Sequence, residues 1–215
     1  MKLYPIMINI ENRPVAIIGG GNVALRKAAE LLKSGARVTV ISPEIYDGFN
    51  DLVGEYGDRV ELVKSEYISG SLENYSLVFS ATNSAEVNSS VYKEAHVKNI
   101  FINAVDDPPN CSFFIPSFTR KGDLILSLST SGSSPAFAAR LRRELEDSLP
   151  ENIEEILTVL AEIRERLKKD KSFSCMDTKK RGELLKRIAN DDNLLSEACN
   201  ALKEKKLKEF VLELI

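Results

Sequence analysis

Through the first half of the chain, short runs rich in β-branched residues alternate with stretches of helical spacing. Residues 15–18, 37–41, 59–63, 77–80 and 100–103 read as strands, and the alternation predicts a parallel sheet with helices between its strands. Residues 4–9 read as a further strand that turns at Glu11, Asn12 and Arg13 and adds to the edge of that sheet. At Cys111 the pattern changes. The run CSFFIPSFTR, a turn at Lys121 and Gly122, and DLILSLST predict an antiparallel pair. Ser134 suits a helix N-cap and Pro135 the first position of the helix that follows. Beyond Pro150 nearly everything is helical. Ile153, Ile156, Leu157, Leu160, Ile163 and Leu167 recur at spacings of three and four and form one apolar face. Further helices are predicted over 179–189, 194–202 and 205–214, with KKDKSFSCMD as an exposed loop. The pattern divides the chain into 1–110, a small α+β segment over 111–149, and a helical region over 150–215.

Composition narrows the class. With 215 residues, 43% hydrophobic and 28% charged, the chain has ordinary globular values, which exclude a disordered or fibrous protein. No apolar run approaches the roughly 20 residues a membrane-spanning helix needs, so no membrane partner is expected. The start MKLYPIMINIENRP lacks a basic segment followed by an apolar one, and a cytoplasmic location follows as the expectation. Cys111, Cys175 and Cys199 are odd in number, far apart and in no CxxC pair, which speaks against a disulfide framework or a zinc knuckle. The single histidine, His96, is a poor basis for a metal site, and none is expected. A net charge of −3 with acids and bases interspersed argues against a nucleic-acid surface.

The chemistry begins where the first parallel strand ends. VAIIGG runs into GNVALRKAAELLKSGA, which places Gly19, Gly21 and Ala24 in a GxGxxA pattern between a strand and a helix. Gly19 permits the tight turn, Gly21 lets backbone approach a pyrophosphate, and Ala24 lets the helix lie close to the sheet. The amides of Asn22 and Val23 then face the anion at the helix N-terminus. The fold class is therefore α/β, a Rossmann-type parallel sheet followed by the small α+β segment and the helical C-terminal region. A glycine-rich turn without a ligand is the plain alternative, but three consecutive glycines and an amphipathic helix stopped by Gly35 favour nucleotide binding.

The second strand ends Val40, Ile41, Ser42, Pro43, Glu44, without an acid at its tip. Glu44 is the nearest candidate for the ribose, and the backbone of Ser42 and Pro43 could serve instead; equally, Glu44 could be an exposed acid in the first turn of the next helix. No lysine or arginine follows Ile41 for several residues to neutralise a ribose phosphate, so NAD is expected over NADP. Thr82 and Asn83, at the end of SATNS, reach the same carboxyl edge and either line the nicotinamide side or make ordinary turn bonds. Asn103 and Val105 arrive at this edge from the fifth strand and are assigned to the cofactor. Asp106 and Asp107 follow them. One of the pair is the best general base available, unless both merely open the turn before Pro108 and Pro109.

Together, GGGNVALRKAAELL, SATN, NAVDDPPNCSFFIPS and LSTSGSSPAFAARLRRELE resemble the precorrin-2 dehydrogenase and sirohydrochlorin ferrochelatase family, in blocks spread from Gly19 to Glu146. After Pro150 the likeness is only to a helical tail of suitable length. The resemblance implies NAD-dependent removal of a hydride and a proton from precorrin-2, giving sirohydrochlorin on the way to siroheme. It makes 1–110 the NAD-binding domain and 111–149 the dimerisation and substrate segment. The family's catalytic aspartate follows an NxV segment and falls on Asp106. A substrate rimmed with carboxylates calls for cations and N–H donors, which the cluster Arg140, Arg142 and Arg143 and the capped start at Ser133 and Ser134 supply, with Ser133, Ser134, Arg140 and Arg143 in the contact set. A solvated helix face paired with Glu144 and Glu146 is the other reading of those arginines.

The resemblance further implies a homodimer, consistent with Phe113, Phe114 and Phe118 needing cover. It leaves open whether ferrous ion is a second substrate, since some family members insert iron and others only dehydrogenate. Larger members fuse this module to a methyltransferase, which is expected here as a separate protein. The rival to an enzyme is a regulatory module that senses NAD without catalysis, which would need neither Asp106 nor the arginine helix.

Overall fold

A computed structural model describes residues 2–215 and divides them into two compact units, Tyr4–Ile115 and one built from Pro116–Ile215. The first unit holds five parallel strands: β1 (Pro14–Ile18), β2 (Arg37–Ile41), β3 (Val60–Val63), β4 (Leu77–Ser80) and β5 (Phe101–Ala104). Their spatial order is β3-β2-β1-β4-β5. The chain winds outward from β1 to β3, then returns to β4 on the other side of β1. That reversal leaves a crevice at the carboxyl ends of β1 and β4, the place where open α/β sheets take ligands.

Successive side chains of a strand point to opposite faces, so β1 feeds two cores. Val15 and Ile17 pack with Ala24, Ala28 and Phe49 of α1 (Asn22–Lys33) and α2 (Phe49–Tyr56). Ala16 and Ile18 pack with Val78, Ile102 and the Val91 and Ala95 of α3 (Ala85–Val97). Helices thus cover both faces, and a strand buried on both sides reads as a continuous apolar run rather than an alternating one.

The expected strand over 4–9 is not there. Those residues form no strand pairing among the described residues; Tyr4 is 86% and Met7 70% exposed, and the chain is first tied down at Ile10 and by the Asn12 N–H donating to the Gly35 carbonyl at 2.8 Å. An alternating pattern makes a strand only where an open edge lies within reach, and this segment leads straight into the middle strand of the sheet. The expected strand from Cys111 also starts late. Residues 111–115 instead dock beside β5: the Ser112 N–H donates to the Ile102 carbonyl at 2.9 Å, and Phe113 meets Phe79 edge-on with ring centres 5.5 Å apart. Phe113 is therefore covered within its own unit, whereas Phe118 is exposed.

In the second unit, β6 (Ser117–Lys121) and β7 (Leu124–Leu128) form the antiparallel pair, with Ser117 opposite Leu128. Against them lies α4 (Pro135–Asp147), and Thr119 donates to Glu146 at 2.8 Å. Four helices follow: α5 (Ile153–Lys169), α6 (Thr178–Ala189), α7 (Asp192–Lys203) and α8 (Leu207–Glu213). Val159, Ile163 and Leu167 of α5 are buried at the centre of this cluster. The segment expected as an exposed loop contributes to it. Residues 171–173 form a short 3-10 turn, Phe173 is fully buried and Met176 is buried with it, because two apolar side chains in a polar stretch are enough to anchor a connection. No helix among the described residues is long and apolar enough to cross a membrane.

Candidate functional site

The site is built by loops leaving β1, β2, β3 and β4. Gly19 has a φ of +119°, and a Cβ there would run into the carbonyl oxygen of Ala81. A Cβ on Gly20 would likewise meet the carbonyl of Glu44, so the turn can lie this close to its neighbours only as glycine. At Gly21 the space is open instead. Gly21 is the N-cap of α1, has no side chain to cap it, and is followed by a first turn without an acid. The first helical bond runs from the Leu25 N–H to the Gly21 carbonyl at 3.0 Å, so the N–H groups of Asn22 and Val23 have no partner in the helix. Ala24 is fully buried against the sheet. Unpartnered amides at a positive helix end, beside an open space a Cβ would fill, fit a pyrophosphate.

Three backbone bonds stitch these loops together. The Gly19 N–H donates to Ile41 at 2.9 Å, the Tyr46 N–H to Gly20 at 2.9 Å, and the Ala81 N–H to Ile18 at 2.8 Å. Between them opens a cleft of about 900 Å³. Ser42, Pro43 and Glu44 line it, as do Thr82 and Asn83. Glu44 is exposed and lies five residues ahead of α2, which begins at Phe49, so it does not belong to that helix's first turn. Thr82 has local partners: its hydroxyl donates to the Asn88 side chain at 2.7 Å and accepts from the Ser84 N–H at 3.2 Å, fixing the start of α3.

Sequence reasoning passed over part of this cleft. Glu66 and Tyr67, on the crossover after β3, also line it. The Tyr67 hydroxyl donates to Glu94, which is 8% exposed and accepts as well from the N–H groups of Gly70 at 2.7 Å and Leu72 at 2.8 Å. Burial alone would raise the Glu94 pKa, but the Tyr67 hydroxyl, those two amides and the charge of Lys98 hold it below the ordinary carboxylate value. Burial, then the bond and charge of Glu94, push the Tyr67 phenol well above its usual value. The exit of β3 at the carboxyl edge was the available signal for this wall.

Asn103, Val105 and Asp106 are brought to the same sheet edge but do not line the cleft. The Asn103 amide donates to the Phe113 carbonyl at 3.1 Å and so holds the 111–115 segment against β5. The two aspartates separate. Asp107 accepts from the Asn110 side chain at 2.7 Å within a short 3-10 turn (Pro108–Asn110), whereas Asp106 is exposed on a left-handed backbone (φ +59°) with no side-chain hydrogen bond among the described residues. Beside them, burial first and then the charge of Asp107 raise the Cys111 thiol.

Ser133, Ser134, Arg140 and Arg143 belong to the second unit. Ser134 caps α4 by accepting from the Phe137 N–H at 3.3 Å. Arg140 pairs with Glu144 at 2.7 Å and Arg142 with Glu146, one turn along the helix in each case, while exposed Arg143 makes no ion pair among the described residues. No group of three or more histidine, cysteine or acidic residues is placed to hold a metal among the described residues.

Comparison with known proteins agrees with this geometry. Residues 6–117 match the family described as "Putative NAD(P)-binding", and residues 121–148 match "Sirohaem biosynthesis protein central". A siroheme synthase of Pseudoalteromonas translucida is 36% identical over 168 residues, covering 78% of this chain and 35% of the relative. Siroheme synthase 2 of Aeromonas salmonicida is 38% identical over 168 residues, 78% of this chain and 34% of the relative. Siroheme synthase 2 of Yersinia enterocolitica is 33% identical over 202 residues, 90% of this chain and 42% of the relative. The chain thus spans between a third and under half of the length of these curated relatives. The solved structure of "SirC, precorrin-2 dehydrogenase" superposes with a TM-score of 0.75 over 98% of both chains at 24% identity, and so shares the fold. Glycine turn, cleft and β5 exit all fall inside the first matched region, and this chain belongs to the NAD(P)-binding family, continued by the siroheme-biosynthesis central segment.

Proposed function

We propose that the chain catalyses the NAD-dependent dehydrogenation of precorrin-2 to sirohydrochlorin. The observation that carries this reading is the meeting, at one sheet edge, of a pyrophosphate cradle with an aspartate held out to solvent, its side chain without a hydrogen bond among the described residues. The names of the relatives and of the solved neighbour support it. NAD supplies the hydride acceptor. The amides of Asn22 and Val23 hold the pyrophosphate, and Glu44 accepts from ribose hydroxyls, a carboxylate that would repel a 2′-phosphate and so favours NAD over NADP. Oxidation removes a hydride and a proton from the substrate; Asp106 accepts the proton and passes it to water. Asp107, occupied by Asn110, keeps the turn in shape.

Within this reading, 1–110 binds NAD, and 111–149 serves substrate and dimer contacts. Arg143 and the Ser133–Ser134 turn meet the carboxylate rim, and 150–215 is a helical domain. The enzyme works in the cytoplasm as a homodimer. An anaerobic assay that supplies precorrin-2 and NAD tests the reaction through the absorbance of sirohydrochlorin and NADH. Equal NADH and sirohydrochlorin is the expected result; folded protein that binds NAD without oxidising precorrin-2 would return the chain to a sensing role. Ferrous ion added afterwards, as a second substrate, tests chelation against the spontaneous rate.

A further inference from the structure

Beyond the glycine turn and the ribose acid, the cleft has a third wall that nothing so far accounts for. Glu66 and Tyr67 lie on the crossover between β3 and β4 and line the cleft with Glu44 and Tyr46. Glu66 is exposed and its carboxylate has no hydrogen bond or ion pair among the described residues. Its position is nonetheless set. Tyr67 is bonded to the buried Glu94, which also gathers the N–H groups of Gly70 and Leu72, so one carboxylate on α3 holds the crossover at three points. A crossover loop with only solvent to face has no need of so many anchors. Glu44 and Glu66 are the charged residues of the cleft, and no lysine or arginine lines it among the described residues.

We propose that Glu66 is a specificity residue for the adenine ring: its carboxylate accepts a hydrogen bond from the exocyclic amino group, beside the aromatic surface of Tyr67, while the Glu94 anchor acts as a positioning group. The inference rests on the dinucleotide reading of the cleft. A carboxylate is an acceptor only, so it is complementary to an amino group and repelled by a ring carbonyl at the same position. The pyrophosphate cradle fixes one part of the ligand, Glu44 the adjoining ribose, and Glu66 the base. An acid-lined cleft therefore selects an aminopurine dinucleotide lacking a 2′-phosphate.

The test compares two dinucleotides on the full-length chain by calorimetric titration: NAD, and its analogue in which hypoxanthine replaces adenine. One charge-assisted hydrogen bond gained against a repulsion predicts that NAD binds about tenfold more tightly. Glu66→Gln, whose amide both donates and accepts, and Glu66→Ala should each bring the ratio close to one. The residue is exposed, so both variants keep the fold. Glu94→Gln should weaken both dinucleotides together. Binding of NAD with no preference in the native chain, or the same preference in both Glu66 variants, overturns the assignment while leaving dinucleotide binding intact. Failure of both dinucleotides to bind removes the underlying reading instead.

Discussion

At the scale of single residues, the site depends on backbone conformations that ordinary side chains avoid. Gly19 combines a φ of +119° with a backbone carbonyl where its Cβ would stand, so Gly19→Ala carries both strain and a clash. Strain of this kind costs about 1–3 kcal/mol, and relief by moving the turn shifts the amides of Asn22 and Val23. The expected outcome is a lower urea midpoint together with loss of most NAD affinity; unchanged affinity would mean that the cradle does not hold the pyrophosphate. Asp106 is the opposite case. It is left-handed at φ +59°, a conformation that asparagine tolerates as well, so Asp106→Asn removes the proposed base and keeps the turn. Turnover of precorrin-2 should fall about 100-fold or more with NAD affinity retained, and near-native turnover would take Asp106 out of the proton step. Both positions stand out in the sequence as types, a glycine in GxGxxA and an acid after NxV. The different hydrogen bonding of Asp106 and Asp107 does not, because it depends on Asn110 reaching back to one of them.

At the scale of elements, the parallel strands were legible to within a residue or so, since a strand buried on both faces leaves an apolar run that no other local structure explains as simply. The segment 4–9 was not legible, because pairing depends on an edge being within reach, and no local pattern reports that. The third wall of the cleft escaped for a related reason. Glu94 sits on α3 amid polar neighbours and reads as a surface acid, yet its partners lie more than twenty positions away, at Tyr67, Gly70 and Leu72. This anchoring has a consequence in acid. The folded pKa of Glu94 is held below the unfolded value, so its stabilisation is fully present above the ordinary carboxyl pKa of about 4.3 and is lost as pH falls through the folded one. Glu94→Gln should therefore cost about 2 kcal/mol near neutrality, the scale of hydrogen bonds to a buried charge. The gap between native and variant chains in urea unfolding should shrink below pH 4 or so. A gap that stays constant down to pH 2 would show that the carboxylate charge contributes nothing.

At the scale of the whole molecule, every residue that lines the cleft comes from Tyr4–Ile115, while the helices α5 to α8 build a separate core in the other unit. That core was only partly legible. The stripe from Ile153 to Leu167 marks α5, but Val159, fully buried, and Phe173, in a stretch rich in lysine and serine, join it through contacts between elements. Phe173 is the sharper probe, because it is the aromatic ring at the centre of the connection from α5 to α6 and has no solvent exposure. Replacing it with alanine removes the ring's burial and leaves a void that helices on several sides cannot all close. Truncations of this kind cost about 3–5 kcal/mol. If the two cores do different work, Phe173→Ala should lower the denaturation midpoint and speed amide exchange across α5 to α8, yet leave NAD affinity at its native value under conditions where the chain remains folded. A loss of NAD affinity matching the loss of stability would instead mean that the helical core shapes the cleft. The cofactor site would then have to be understood as a property of the full chain rather than of the sheet and its loops.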